Sequence, residues 1–528
     1  MRLSAWGWVG ALLFNSYIFI FVFMPLALLA YYLLGRINHR AAELSLVVSS
    51  LIFYAWWNPP FVLILMGSIA FNYSISHWIT RNEGFDLRQS AILALGITAN
   101  LAVLVYYKYL FALMGFLDSI GVTSLKLNPV ILPLGISFYT FTQIGYLVDC
   151  RQGMAKERGL LDYCLFVTFF PHLIAGPILH HREIMPQFVK SETYRFSRRN
   201  MAVGLTIFII GLAKKVLIAD SLSQVSGAGF DTPGTLGLIP AWLTALSFSL
   251  QIYFDFSGYS DMAIGLAYMF NVRFPLNFNS PYKARNIIDF WQRWHMTLTR
   301  YLTLYLYNPM ALWVTRRRIA RGAPILARDS KTVGGFVTMI AIPTLITIVL
   351  AGVWHGAGLT FLIFGLLHGL YLIVNHAWRI FAPARMRQDP ENRLALAATV
   401  IMQVLLTYLA ALVAQVFFRA ETVGDATALL AGMIGLHAGG AFSGWEYNFG
   451  SESQSILRIA AFFGMAWFLP NTQQIMAKFP AALGQIAANR YRLLEWMPDL
   501  KWAVSMGLAA GLAIASLSQH SEFLYFQF

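Results

Sequence analysis

Two histidines carry the chemistry this chain could do. His355 lies in Leu350-Ala351-Gly352-Val353-Trp354-His355-Gly356-Ala357-Gly358, at the junction of two long apolar stretches. An ionisable side chain is costly in membrane interior, so its presence there predicts a task. A neutral imidazole can take the proton of a hydroxyl as that hydroxyl attacks a thioester, which is general-base chemistry at ordinary pH. His295 occurs in Asp289-Phe290-Trp291-Gln292-Arg293-Trp294-His295-Met296-Thr297-Leu298-Thr299-Arg300, a helical-looking amphipathic run inside a basic loop. Either ring could instead be a hydrogen-bonded spacer between helices.

Other ionisable groups are weaker candidates. On one continuous helix His355 and His368 would point about 220° apart, so they could not share a metal, and His376 is too far from His368. No metal site is expected. His180 and His181 are expected in a solvated basic loop, and His172 beside Pro171 is expected to line a cavity. Asp255 and Asp261 lie in Gln251-Ile252-Tyr253-Phe254-Asp255-Phe256-Ser257-Gly258-Tyr259-Ser260-Asp261 and must face a cavity or a partner. The same stretch is not a nucleophile elbow, since the second glycine and the preceding strand are missing. Arg316-Arg317-Arg318 fits either a headgroup anchor or a contact to donor phosphates. Cys150 and Cys164 form no disulfide or metal framework.

The elements that must position these groups are membrane helices. Of 528 residues, 58% are hydrophobic and 12% charged, with a mean hydropathy of +0.60. That excludes a soluble multidomain enzyme and gives one polytopic membrane domain, 1–528, of 11–13 helices. The net charge of +14 is spread over short loops rather than gathered in a nucleic-acid-binding domain, so no nucleic acid is expected.

Spans are expected near 10–35, 41–57, 61–80, 90–115, 131–149, 200–219, 240–268, 333–353, 357–378, 395–418, 456–470 and 501–518. The first, from Trp8 to Leu34, reads as a retained helix rather than a signal peptide. Basic loops around Arg36, Arg81 and Arg151 alternate with turns nearly free of positive charge, which places the N-terminus outside. Segment 160–180 breaks that alternation and contains Pro171, Gly176 and Pro177, so it is expected to be re-entrant. The loop 271–332, the most basic of all, is expected on the cytoplasmic side. The tail 519–528 is expected outside.

Several motifs resemble, in order and spacing, the membrane-bound O-acyltransferase (MBOAT) family. They are Phe278-Asn279-Ser280-Pro281-Tyr282, Phe290-Trp291-Gln292-Arg293-Trp294-His295-Met296-Thr297-Leu298 and Trp354-His355-Gly356. Further matches are Tyr54-Ala55-Trp56-Trp57, Leu132-Pro133-Leu134-Gly135-Ile136-Ser137-Phe138-Tyr139, Phe170-Pro171-His172-Leu173-Ile174-Ala175-Gly176-Pro177 and the terminal Phe523-Leu524-Tyr525-Phe526-Gln527-Phe528. Within the family the chain is similar to the bacterial branch that acetylates alginate and transfers D-alanine to teichoic acid.

This resemblance implies a ring of helices around a thinned centre, with His355 the active-site histidine and His295 the second, cytoplasm-side one. It also implies Trp354, Trp294, Arg293, Tyr282, Asn279, Asp261 and His172 as donor-binding or cavity-lining residues. Acetyl-CoA would be the donor, an exported polysaccharide such as alginate or cellulose the acceptor, and a periplasmic SGNH-hydrolase-like acyltransferase the partner, in the bacterial inner membrane. The tail 523–528 could dock that partner or pack back on the membrane interface. Gln292 and Asp289 depart from the family's usual arginine and glutamate. From the residues alone, a polysaccharide or acyl-carrier transporter, or a scaffold for a periplasmic enzyme, stays open beside the enzyme.

Overall fold

A computed structural model of the chain describes residues 12–81, 87–123, 130–155, 159–325, 331–383, 392–437, 452–484, 491–517 and 524. The described residues are helical throughout apart from loops and turns, with one isolated bridge between Pro275 and Leu483. Six helices among them are long and apolar enough to cross a membrane: Pro60–Thr80, Leu87–Lys108, Arg198–Asp231, Val333–His355, Leu359–Phe381 and Arg393–Arg419. The other expected spans are helices too, but shorter or more polar. The longest, Leu238–Met269, carries Asp255 and Asp261.

Helix Arg393–Arg419 shows which solvent the fold is built for. Ile401, Met402, Leu405, Leu406 and Leu409 are exposed, whereas Thr407, Tyr408 and Gln415 are buried. A helix in water would invert that pattern; one in hydrocarbon keeps its hydrogen-bonding groups inside. The protein is an all-α, multi-pass membrane protein.

Two compact units interleave along the sequence: Met1–Leu217 with Phe256–Leu276 and Thr472–Phe526, and Ile218–Asp255 with Asn277–Asn471 and Gln527–Phe528. In the first unit, amides bind helices together. Asn72 and Asn100 exchange side-chain hydrogen bonds of 3.1 and 2.6 Å, and Gln143 donates to Ser68 Oγ while accepting from the Tyr163 hydroxyl. Such bonds add roughly 0.6–2 kcal/mol each in a membrane, where no water competes.

Segment 160–180 is broken, as expected. Helix Leu160–Thr168 ends at Phe169, a short turn Phe170–Leu173 follows, and the next helix is His181–Phe188. Pro171 has no N–H and its ring would clash with the carbonyl four residues back, so the helix cannot run through it; the break falls at Phe169, and Pro171 lies in the first turn of the next piece. The released groups are satisfied locally. Phe170 N–H donates to Ser50 Oγ at 3.1 Å, and His172 Nε2 lies 2.9 Å from the Phe166 carbonyl, to which it must donate. Gly135 allows this segment to approach: its φ is +71°, and a Cβ there would lie 2.8 Å from the Leu173 carbonyl oxygen.

The expectation that His180 and His181 are solvated is wrong. Both are buried, and the His181 ring packs 4.9 Å from Tyr146 and 5.1 Å from Phe166. Aromatic rings distant in sequence close over a stretch whose neighbours Arg182 and Glu183 look polar. Lys156, Arg158, Arg328, Arg385, Arg387 and most of the tail 519–528 lie outside the described residues.

Within the first unit, Gly204 and Gly211 meet Gly265 and Gly258 at backbone contact. A Cβ on Gly204 would sit 2.6 Å from the Gly265 carbonyl oxygen, and one on Gly211 2.5 Å from that of Gly258. This is small-residue packing of two membrane helices. Gly211→Leu is expected to destabilise the protein by about 3 kcal/mol or more, whereas Gly227→Leu, with open space at its Cβ, leaves stability nearly unchanged. Thermal unfolding in detergent, followed by size-exclusion of the surviving monomer, separates the two; equal losses would reject backbone contact as the cause.

Candidate active site

The second unit holds both histidines. The run 289–300 is not one helix. Helix Ile287–Trp291 ends, and Met296–Leu302 begins after His295, whose backbone is left-handed with φ 43° and ψ 52°. A bulky residue adopts that conformation only when its surroundings impose it.

Asn277 supplies the imposing contacts. Its Oδ1 accepts from Thr297 N–H at 3.3 Å and from the Thr297 hydroxyl at 2.8 Å, and lies 3.0 Å from His295 Nδ1. The Asn277 carbonyl also accepts Met296 N–H at 2.9 Å. A backbone N–H can only donate, so the shared side-chain atom is the amide oxygen. His295 Nδ1 must therefore carry the proton, and Nε2 the basic lone pair. Burial pushes the His295 pKa down to about 3, so the ring is neutral at physiological pH.

His355 is the last residue of helix Ile342–His355. It is buried, with its ring 4.8 Å from Trp354, 5.2 Å from Phe418 and 6.1 Å from Phe364. The chain reverses through Gly356-Ala357-Gly358 into helix Leu359–Phe381. The two helices touch where a Cβ on Gly352 would lie 2.9 Å from the Gly365 backbone and overlap the Phe361 carbonyl. Trp354 lies between the histidines, its ring also 6.4 Å from that of His295.

The break at 356–358 removes the premise that His355 and His368 share one helix. His368 instead receives the Trp291 indole N–H on Nδ1 at 3.3 Å, and Phe290 stacks on it at 6.0 Å. It ties the His355 hairpin to the His295 loop. Nothing local in the sequence signals this bond, nor those of Asn277, because their partners are far away in the chain.

The remaining residues of this unit hold the loop in shape. Arg293 Nε bonds Asp289 Oδ1 at 2.7 Å, Nη1 reaches the Asn279 carbonyl at 3.3 Å, and its own carbonyl accepts Asn279 N–H at 2.9 Å. Asn471 Nδ2 donates to Asn279 Oδ1 and Ser280 Oγ. The Tyr282 hydroxyl donates to the Ser249 carbonyl at 2.6 Å and accepts from Ser249 and Gln415. Trp294 packs among Phe278, Phe290 and Tyr282. Arg316 and Arg317 are exposed on helix Asn308–Ala320.

Two candidates belong to the first unit. His172 caps the broken segment as described. Asp261 is paired: Lys214 Nζ lies 2.6 Å from its Oδ2, and Thr472 Oγ1 donates to the same oxygen at 2.6 Å. Lys214 opens a π-helical turn, Lys214–Ala219, which shifts the side chains that follow.

Two measurements test these assignments. Lys214→Met leaves the buried Asp261 carboxylate without its cation and is expected to cost about 3–5 kcal/mol, with Lys214→Met/Asp261→Leu recovering most of it; a double variant no more stable than the single one would exclude a buried pair. His295 has a native pKa below its unfolded value of about 6.5, so the unfolded chain binds more protons between pH 6.5 and 3, and stability falls as pH drops through that window. His295→Asn is expected to flatten this loss, by at most about 1.4 kcal/mol per pH unit. Unfolding midpoints from pH 7 to 4 that fall in parallel for both proteins would contradict it.

Residues 48–322 match the model of the MBOAT, membrane-bound O-acyltransferase family. The chain is 40% identical over 456 residues to a peptidoglycan O-acetyltransferase of Helicobacter pylori, covering 81% of each protein. It is 33% identical to the probable alginate O-acetylase AlgI of Pseudomonas aeruginosa, over 98% of this chain and all of that one. A teichoic acid D-alanyltransferase of Bacillus subtilis is 29% identical over 45% of this chain and 58% of its own length. With the family model matched over residues 48–322 and one relative aligned over 98% of the chain at 33% identity, the chain belongs to the membrane-bound O-acyltransferase family and is an acyltransferase.

Proposed function

We propose that the protein transfers acetyl from cytosolic acetyl-CoA for O-acetylation of an exported cell-envelope polysaccharide, in the bacterial inner membrane. The observation that carries this reading is the pair of buried histidines on either side of Trp354, in a chain similar to enzymes named for acetylating peptidoglycan and alginate.

The chemistry balances with these residues alone. The acceptor oxygen attacks the thioester carbonyl carbon while the His355 imidazole takes the hydroxyl proton. The C–S bond then breaks, and the imidazolium returns the proton to sulfur, releasing coenzyme A as a thiol. The acceptor is either the polymer hydroxyl or a periplasmic SGNH-hydrolase-like acyltransferase that passes the acetyl on; the aromatic tail 523–528 would be its docking element. His295, neutral and fixed in one tautomer, offers Nε2 to the donor side and orients the thioester. The rings around His355 exclude water, which would otherwise hydrolyse it.

His355→Ala is expected to lower ester-linked acetate on the polymer at least about 100-fold, with the protein still present in the membrane at wild-type level. Mild-alkali release of acetate from purified peptidoglycan and from exopolysaccharide measures this and identifies the acceptor. Acetylation retained by the variant would reject His355 as the base. Labelled acetyl-CoA supplied to inverted vesicles tests the donor; no transfer of label would reject it.

A further inference from the structure

Helix Asn308–Ala320 follows the His295 segment through a π turn, Thr303–Tyr307, and shows an unusual face. No Asp or Glu occurs between Asp289 and Asp329, while Arg316, Arg317, Arg318 and Arg321 fall close together. At about 100° per residue, Leu312, Trp313, Arg316, Arg317 and Ile319 occupy an arc of roughly 160°. All five are exposed, Leu312 at 56%, Trp313 at 60% and Ile319 at 59%.

Arg318 points the other way and serves the fold. It donates to the Thr338 hydroxyl at 3.0 Å and twice to the Pro324 carbonyl, at 3.0 and 2.6 Å. Arg317 lies 5.0 Å over the exposed Trp313 ring. Apolar and basic groups thus share one surface with no carboxylate on the helix to neutralise it.

We propose that this face is a seat for anionic phospholipid, with Arg316, Arg317 and Arg321 taking the headgroup phosphates and Leu312, Trp313 and Ile319 taking the acyl chains. Charge complementarity argues for the phosphate, and the exposed apolar side chains choose its source. A soluble nucleotide phosphate would leave Leu312, Trp313 and Ile319 in water, whereas a bilayer interface accommodates them together with the guanidinium groups. The indole suits the boundary between chains and headgroups. The face lies directly after the His295 segment in sequence, so bound lipid would brace the end of the helix that follows that loop.

The test uses the full-length protein reconstituted in phosphatidylcholine vesicles with spin-labelled phosphatidylglycerol or phosphatidylcholine as probe. The wild type is expected to select phosphatidylglycerol about tenfold or more, and R316Q/R317Q/R321Q to lose nearly all of that preference. R316K/R317K/R321K is expected to keep most of it, since an ammonium meets phosphate as a point charge. Coenzyme A binding, measured in phosphatidylcholine alone, is expected to be equal in wild type and the glutamine variant. Undiminished phosphatidylglycerol selectivity in the glutamine variant would overturn the proposal. So would a tenfold weaker coenzyme A affinity in that variant, which would assign the patch to donor phosphates instead.

Discussion

Wherever this protein departs from helix in its buried interior, the backbone must find partners within the protein, because no water reaches it. That requirement decides where most polar side chains go. At the broken segment after Thr168, Ser50 takes the N–H of Phe170 and His172 takes the carbonyl of Phe166. At the loop before Met296, Asn277 takes three donors on one oxygen and a fourth on its carbonyl. Both segments are irregular and held by specific partners, which is the condition for placing a functional group precisely enough to react.

For His295 the same bonds have a chemical effect. Because Thr297 N–H can only donate, Asn277 presents an oxygen, and that oxygen fixes the imidazole proton on Nδ1. The left-handed backbone then sets the direction of the ring before any donor binds. At His355 the device differs: a helix ends at the histidine, and glycine contact between the two arms of the hairpin holds that end against Phe364 and Phe418. Trp291 and His368 connect the two devices. Positioning is thereby distributed over one polar loop and one apolar hairpin, each built by ordinary rules.

The lengths of the apolar stretches made the helices legible, and Pro171 with Gly176 and Pro177 made the broken segment legible, because these are local signals. His355 and His295 were legible as residue types out of place. Long-range pairing was not. Residues 289–300 look helical because Phe290, Trp291, Trp294 and Leu298 have helical spacing, yet Asn277 turns the chain at His295. His180 and His181 look solvated beside Arg182, yet both are buried, His181 against Tyr146 and Phe166. Asp261 could have faced a cavity, and its pairing with Lys214 depends on two helices meeting at glycines.

The distinction between scaffold and chemistry follows from this. Arg293, Tyr282 and Asn279 each direct their hydrogen-bonding atoms to backbone or side chains of the same unit, so removing any one alters the shape of the loop before it alters a reaction. His172 does the same for Phe166. His295 differs, since one bond fixes its tautomer and leaves the basic lone pair on the opposite ring nitrogen; His355 differs in being packed against the rings of Trp354, Phe364 and Phe418. Aromatic edges lower the polarity around an imidazole, and a proton transfer in such surroundings would need little solvent to reorganise. The sequence marks both histidines alike as anomalies; their surroundings separate the one that is oriented from the one that is kept dry.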